Sequence, residues 1–415
     1  MQTTKTIKNF IDYQFNKTVK ASGGDYTSLL LAVGFFRNKI VLSTPQIQVD
    51  AGDYSAQGGI DIHDIITGAA NFLDIIGDTR EIASLAFVQG DTYTGGVSSA
   101  KAGVGSVNLS NSGNDITITR ATTNPTLTDI VNGDKILIVD DSGVVTTPTV
   151  SSATETVITL ATTAPTVGGY GSSVLILPNR KIGTINFSNP GGMVRLKGFW
   201  IVDISESYSG LVTSAYQGGT LLLEKCAIQF TTSPSFYNSH ISSNNVNLAL
   251  FATSGEPAIL AFRKALFDFN YAFCLKTTPL AQEKGVVYVK NFATIGLGTF
   301  TANKGGHIEL EVGTYRKGTP VSGMQAADTG SSGYINNVSF LGPTEGGTSE
   351  IAINANEGGQ ILIKNTTIKD WATGLYASNG SNIVSRTMTF TNVTTAKSPA
   401  SSGSLGNNGS MVIEV

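Results

Sequence analysis

The sequence is short of charge. Only 14% of its 415 residues are Asp, Glu, Lys or Arg, and they cancel to a net charge of −3. Ordinary soluble chains carry about a quarter. No basic stripe runs through the chain, so nucleic acid is not expected as a partner. Cysteine is nearly absent. Cys226 and Cys274 do not make a disulfide framework and read as reduced, buried thiols. The histidines His63, His240 and His307 are scattered without metal-ligand spacing, so no metal is expected. No nucleophile elbow, P-loop or dinucleotide fingerprint appears in a suitable context, and no cofactor is expected. Long hydrophobic runs are missing as well. The longest, Leu29 to Phe36, falls well short of the roughly 20 residues that span a bilayer. The first ten residues, MQTTKTIKNF, lack the apolar core of a secretion signal. The expectation is synthesis in the cytoplasm, no membrane insertion, and no exit by a standard secretion signal.

What the chain has in quantity is glycine, 47 residues, and β-branched residues throughout. That favours an all-β protein with many turns. The length is too great for one ordinary compact core, unless the core grows with the chain in an elongated repeat.

A weak repeat occupies the second half. "GGQILIKNTTI" places apolar residues at Ile361 and Ile363, Asn365 after one polar residue, and Ile368 beyond it. "GVVYVKNFATI", "AILAFRKALF", "TLLLEKCAI" and "GMVRLKGFWI" fit the same frame, with further copies around Leu310, Ile335 and Phe390. The position after the second apolar residue falls at Gly198, Lys225, Lys264, Asn291, Val312, Asn337, Asn365 and Asn392, at intervals of 21 to 28 residues with one of 39. Each copy is a short alternating strand, a bend and another inward apolar residue. One such strand cannot bury its inward face alone, whereas stacked copies build a continuous core. Asn291, Asn337, Asn365 and Asn392 read as structural bends or a stacked ladder rather than a ligand site. The pattern matches a parallel β-helix. Leucine-rich repeats share the period but need a denser leucine frame. A β-sandwich needs hairpins with tight turn signals between strands, and here the joints are longer and variable.

From about Thr92 to Tyr170 the pattern changes. "VNGDKILIVDDSGVVTTPTV" has two turn signals between alternating strands, and "ATTNPT" and "ATTAPT" share a tail. This predicts a small β-barrel or sandwich inserted into the helix, either a partner-binding module or a loop decoration.

Before that insertion, "GGDYTSLLLAV" predicts a short helix. Leu29, Leu30, Val33 and Phe36 form its apolar face, and Asp25 is a suitable N-cap. The strand "PQIQVDAGDYS" follows, turning at Gly52. A one-faced helix suits the plug that a solenoid's open end needs. These residues, with "NFLDIIGDTR" as the next rung, resemble the N-terminal opening of pectin-lyase-like right-handed parallel β-helix proteins. Within that superfamily, Ser/Thr/Gly/Asn-rich chains lacking a secretion signal are most similar to bacteriophage tail fibres and tailspikes. The resemblance implies a homotrimer located in the virion, with host surface glycan as receptor. It also implies contact with other phage tail or baseplate proteins through the N-terminal region or the inserted domain. The implied division is 1–20 for attachment, 21–90 for the helix opening with its cap, 91–180 for the insertion and 181–415 for the shaft.

Catalysis on polysaccharide needs paired carboxylates on an outer face. "HIELEV" offers Glu309 and Glu311, two apart on a strand and about 7 Å from each other, near His307 and Arg316. Asp203 with Glu206 is a second pair. Aromatics in or beside loops, Tyr208, Tyr216, Tyr237, Trp371 and Tyr376, are candidates for stacking on sugars. Few carboxylates and no clear acidic cluster favour a non-enzymatic attachment protein over a depolymerase. A secreted pectin-lyase-like enzyme is disfavoured by the missing signal.

Overall fold

The computed structural model describes residues 10–11, 16–68, 71–90, 106–120, 127–188, 192–205, 219–253, 257–317, 322–342, 350–399 and 409–415. The chain is mostly β, a parallel solenoid of about 12 turns carrying small antiparallel sheets. A 19-stranded and an 8-stranded parallel sheet run along it. From Val286–Leu297 onward each rung is one long strand in the larger sheet followed by a short one in the smaller: His307–Lys317 then Ser322–Ala327, Ser332–Leu341 then Ile351–Asn356, Gln360–Lys369 then Thr373–Ala377. Alternation decides the faces. In Gln360–Lys369, Ile361 and Ile363 are buried, while Leu362 points outward, 38% exposed. The inward residues of all rungs join in one apolar core from Val19 to Val412.

All eight repeat markers adopt left-handed backbone, with φ between 47° at Asn291 and 71° at Gly198. They bend the strand from one face to the next. At Gly198 glycine is obligatory, because a Cβ there would lie 1.8 Å from the carbonyl oxygen of Asp78. Six markers share one corner. Lys264 and Asn392 do not: the residues in register at that corner are Tyr271 and Thr387. Each rung turns more than one corner, every corner follows an alternating strand, and sequence pattern alone does not tell corners apart. Amide ladders tie neighbouring rungs, with Asn291 Nδ2 donating to Asn270 Oδ1 at 2.7 Å and Asn365 Nδ2 to Asn336 Oδ1 at 3.2 Å.

The helix spans Leu29–Gly34 and buries Leu29, Ala32 and Val33 into the main core, together with Phe36. Asp25 does not cap it. Ser28 holds the N-cap position and makes no side-chain capping bond. The Asp25 carboxylate instead accepts from Thr18 N at 2.9 Å and Lys17 Nζ at 3.1 Å, pinning the bend before the helix to the preceding strand. That strand, Asn16–Val19, pairs with Gln46–Val49 in the large sheet, so it belongs to the solenoid although it precedes residue 21. Gly52 opens the strand Gly52–Tyr54 rather than sitting within a turn. Cys226 and Cys274 are free and buried, and burial pushes both thiols up to about 12.

Two four-stranded antiparallel sheets share a separate core that includes Phe87, Ile116, Ile136, Ile158 and Val174. One of them, with Ile136–Val139 at its centre, lies on the outside of the solenoid. Leu137, Val139 and Leu175 pack there against Trp200, Phe251 and Phe273. The solenoid residues beneath include Ala227, Ala249 and Ala293, small enough to let the sheets approach. Arg80 ties the two units electrostatically. It donates to Asp78 at 2.6 Å and to Asp134 at 2.5 Å, and both carboxylates are buried.

Candidate functional site

The parallel register stacks outward side chains in columns, one residue per rung, about 4.8 Å apart. One column runs Asp268, Tyr288, Glu309, Tyr334, Leu362. The column two residues further along the strands runs Asn270, Lys290, Glu311, Asn336, Lys364. Local sequence forces this placement. Val287 and Val289 point inward, so Tyr288 and Lys290 point out. Ile308 and Leu310 do the same for Glu309 and Glu311.

Lys290 lies in register with Glu311 and holds both acids. Its Nζ is 2.8 Å from Glu311 Oε2 and 3.9 Å from Glu309 Oε1. The hydrogen bond that Lys290 donates to Glu311, with the charges of Glu311, Glu309 and Asp268, raises the Lys290 pKa against the opposing effect of burial. His307 Nε2 is 4.0 Å from Glu309 Oε2, and its Nδ1 is 2.8 Å from Ser332 Oγ. Burial lowers the His307 pKa and outweighs the nearby Glu309 charge. The Tyr288 ring stands edge-on to His307 at 6.2 Å between centroids, and Lys364 Nζ lies 5.6 Å from the Tyr334 ring centroid.

A general acid for glycoside cleavage needs a carboxyl kept protonated, by burial or by an unscreened second carboxylate. Here an ammonium stands between the two. What remains is a pair of acceptors, a cation and two half-buried phenol rings on alternate rungs, with Glu309 between the rings.

Among the described residues, the structure does not bring the other sequence candidates to this face. Trp371 is 2% exposed, and its indole donates to Phe340 O inside the core, next to Tyr315. It is a core residue, too buried for a sugar platform. Tyr237 and Tyr376 lie on strands of the smaller sheet, and Tyr237 stacks under Arg263. Tyr208, Tyr216 and Glu206 lie outside the described residues. Asp203 sits at a left-handed bend, φ 62°, and accepts from Thr231 N at 2.7 Å. Arg316 is buried and donates to the backbone O of Gln89, just after the strand Ala86–Val88 of the antiparallel unit and away from the two acids. Among the described residues no group of three His, Cys, Asp or Glu could hold a metal ion, and no helix is long and apolar enough to cross a membrane.

Tyr288 and Tyr334 escaped the sequence reading. Each stands at the outward position of a repeat copy, between Val287 and Val289 and between Gly333 and Ile335. A large aromatic at a position that alternation assigns to solvent was the available signal.

No protein-family model matches the chain, and no curated protein sequence does. Solved structures do match. The tailspike of Pseudomonas phage phi297 is 11% identical over 86% of this chain and 64% of its own length, with a TM-score of 0.26. The chain thus spans less than two thirds of that tailspike. The tailspike of Acinetobacter baumannii bacteriophage AP22, solved in complex with A. baumannii capsular saccharide, is 11% identical over 93% of this chain and 75% of its own, TM-score 0.23. A glycoside hydrolase is 9% identical over 91% and 96%, TM-score 0.29. At these identities and TM-scores the similarity bears on neither substrate nor role.

Proposed function

We propose that the chain is a tail-fibre or tailspike-type attachment protein of a phage particle, and that it grips a host surface polysaccharide on its outer face without cleaving it. The observation that carries this is the column Tyr288, Glu309, Tyr334 beside Lys290 and Glu311. Rings on alternate rungs offer apolar faces about 10 Å apart, and the acceptors between them face sugar hydroxyls. A glycan laid along the solenoid axis meets Tyr288, Glu309 and Tyr334 on three successive rungs. In this reading the β-helix is right-handed, the short helix Leu29–Gly34 plugs its first turn, and the molecule assembles as a homotrimer. The tail or baseplate then docks at the N-terminal region or at the antiparallel unit.

The test is binding of immobilised capsular polysaccharide and lipopolysaccharide by the intact chain and by the Tyr288→Ala, Tyr334→Ala double variant. Losing two stacking rings is expected to weaken binding by about 1–3 kcal/mol in total, from the usual worth of an aromatic contact. Undiminished binding overturns the site. Release of new reducing ends, abolished by Glu309→Ala with Glu311→Ala, replaces the attachment reading with a depolymerase.

A further inference from the structure

Past Tyr334 the outer face changes character. The column Tyr288, Glu309, Tyr334 continues as Leu362, Val384 and Ile413, all apolar, with Leu362 38% exposed. The neighbouring column continues from Glu311 through Asn336 and Lys364 to Arg386. Local sequence aims these last three outward. Ile335, Ile363 and Ser385 are buried one residue earlier. Asn337, Asn365 and Thr387 bend the chain one residue later, at φ 55°, 47° and 55°. Asn336, Lys364 and Arg386 therefore stand along one ridge, on successive rungs about 4.8 Å apart.

All three present donors. The Asn336 carbonyl oxygen is taken by Asn365 Nδ2 at 3.2 Å, which leaves the Asn336 Nδ2 hydrogens to donate outward. Lysine and arginine have no acceptor to offer. Lys364 Nζ leans back toward Tyr334, 5.6 Å from its ring centroid. Among the described residues neither Lys364 nor Arg386 forms an ion pair. The neighbouring acids are engaged elsewhere. Lys290 holds Glu309 and Glu311, Lys397 holds Glu414, and Lys369 Nζ is 3.9 Å from Asp370. Glu311 also stands two rungs below Lys364, on a strand about 10 Å away. Two like charges in register, with a third donor beside them, suit an oxyanion. It relieves their repulsion, bridges the rungs, and offers two oxygens to the guanidinium fork. We propose that Asn336, Lys364 and Arg386 bind the oxyanion of an acidic polysaccharide (a carboxylate or an acid ester), while the sugar that carries it lies on Tyr334 and Leu362. This rests on the attachment reading and narrows it. The glycan is acidic, and its acidic unit sits beyond Tyr334 rather than beside Glu309, where like charge would repel it.

The test titrates the intact chain with two matched pairs of glycans, oligogalacturonate with its methyl ester, and dextran sulfate with dextran. Each pair shares a backbone and differs in charge, and the two pairs tell a carboxylate from an acid ester. At least one acidic member is expected to bind about tenfold tighter than its neutral partner, roughly 1.4 kcal/mol, the worth of two solvated ion pairs. In Lys364→Gln with Arg386→Gln that ratio should fall below about threefold. Arg386 is exposed and Lys364 half-buried on the outer face, so neither change reaches the core. Lys364→Arg with Arg386→Lys keeps both charges and should keep most of the ratio. The Tyr288→Ala, Tyr334→Ala variant should weaken acidic and neutral members alike. The proposal is overturned if neutral members bind as tightly as acidic ones, if the Gln variant keeps the ratio, or if the parent binds none of the four. The attachment reading survives all three outcomes if capsular polysaccharide or lipopolysaccharide binds and the tyrosine variant releases it.

Discussion

Replacing Arg80 with alanine removes a guanidinium that answers two buried carboxylates. Arg80 donates to Asp78 from Nε at 2.9 Å and from its second terminal nitrogen at 2.6 Å, to Asp134 at 2.5 Å, and to Asp129 O at 2.8 Å. Asp78 is fully buried and Asp134 is 3% exposed, so water does not take over these bonds. Breaking a buried pair from one side costs about 3–5 kcal/mol, because the partner is left charged and unpaired. Arg180 stays 4.0 Å from Asp78 and softens the loss there, which puts the expected cost near 4 kcal/mol. The cost falls on the joint between the two units. Global unfolding of a long repeat is not a two-state event, so hydrogen exchange is the better assay. Strands Ile136–Val139 and Ser173–Ile176 are expected to lose about three decades of protection, the equivalent of that free energy. Distal rungs such as Gln360–Lys369 should keep theirs. A companion variant, Arg80→Met with Asp78→Asn and Asp134→Asn, leaves no buried carboxylate unpaired and should recover most of the protection. A loss under about 1 kcal/mol in Arg80→Ala would refute the reasoning, since that is the worth of a solvated surface pair.

Three other outcomes are expected. Val312 is a β-branched residue at φ 51°, so Val312→Asn should stabilise its rung by about 1 kcal/mol as read by hydrogen exchange in His307–Lys317, while Gly198→Ala should destabilise its rung strongly. Trp371→Ala should cost about 3–5 kcal/mol from the cavity it leaves, yet leave polysaccharide affinity per folded molecule unchanged. Stability should fall on acidification in two stages. Burial lowers the pKa of His240 and His307 when folded, so the unfolded chain binds protons first, and their contribution, full above about 6.5, declines as the pH drops below it. Burial pushes the Asp78 carboxyl up, but Arg80 and the Asn179 N–H outweigh that and hold it low. Its contribution is therefore full above the ordinary carboxylate value of 3.8, declines as pH drops below it, and is gone once pH falls through the folded pKa. A thermal-midpoint series from pH 8 to pH 3 checks both stages.

Much of the solenoid was legible because its core obeys a local rule. Ile361 and Ile363, or Val287 and Val289, declare their strands by alternation, and the left-handed bend after them favours Asn, Lys or Gly. The rule fails where two corners look alike, which displaced Lys264 and Asn392. It fails also where a contact depends on a neighbour far along the chain. Asp25 looks like a helix cap in isolation, but Thr18 N, seven residues earlier, claims its carboxylate once the strands pair. The joint between units left a trace that is plain in hindsight. "LALFA" and "AFCL" are buried at every position, so both faces of those strands are covered. The acidic pair was legible as an outward pair, since spacing sets it. Lys290 between the acids, and the tyrosines on either side of Glu309, depend on register between rungs 21 and 25 residues apart, which no local pattern carries.

Trp200, Ala227, Ala249, Phe273 and Ala293, in register on successive rungs, make an apolar lane along the solenoid in which the antiparallel unit is parked. A lane has a length. The residues that continue its line are Thr314, Ser339 and Thr367, which are polar and offer no apolar bed. The Tyr170 hydroxyl of the passenger still reaches Leu341 O on the following rung, so only a rung duplicated beyond Leu341 would lengthen the rod without disturbing the passenger. A rung duplicated between Ala227 and Ala249 would have to present an apolar residue in register there, as Phe273 does on the rung after Ala249, and would shift the passenger's contacts on either side. The rod is extensible at its far end and indivisible under its load.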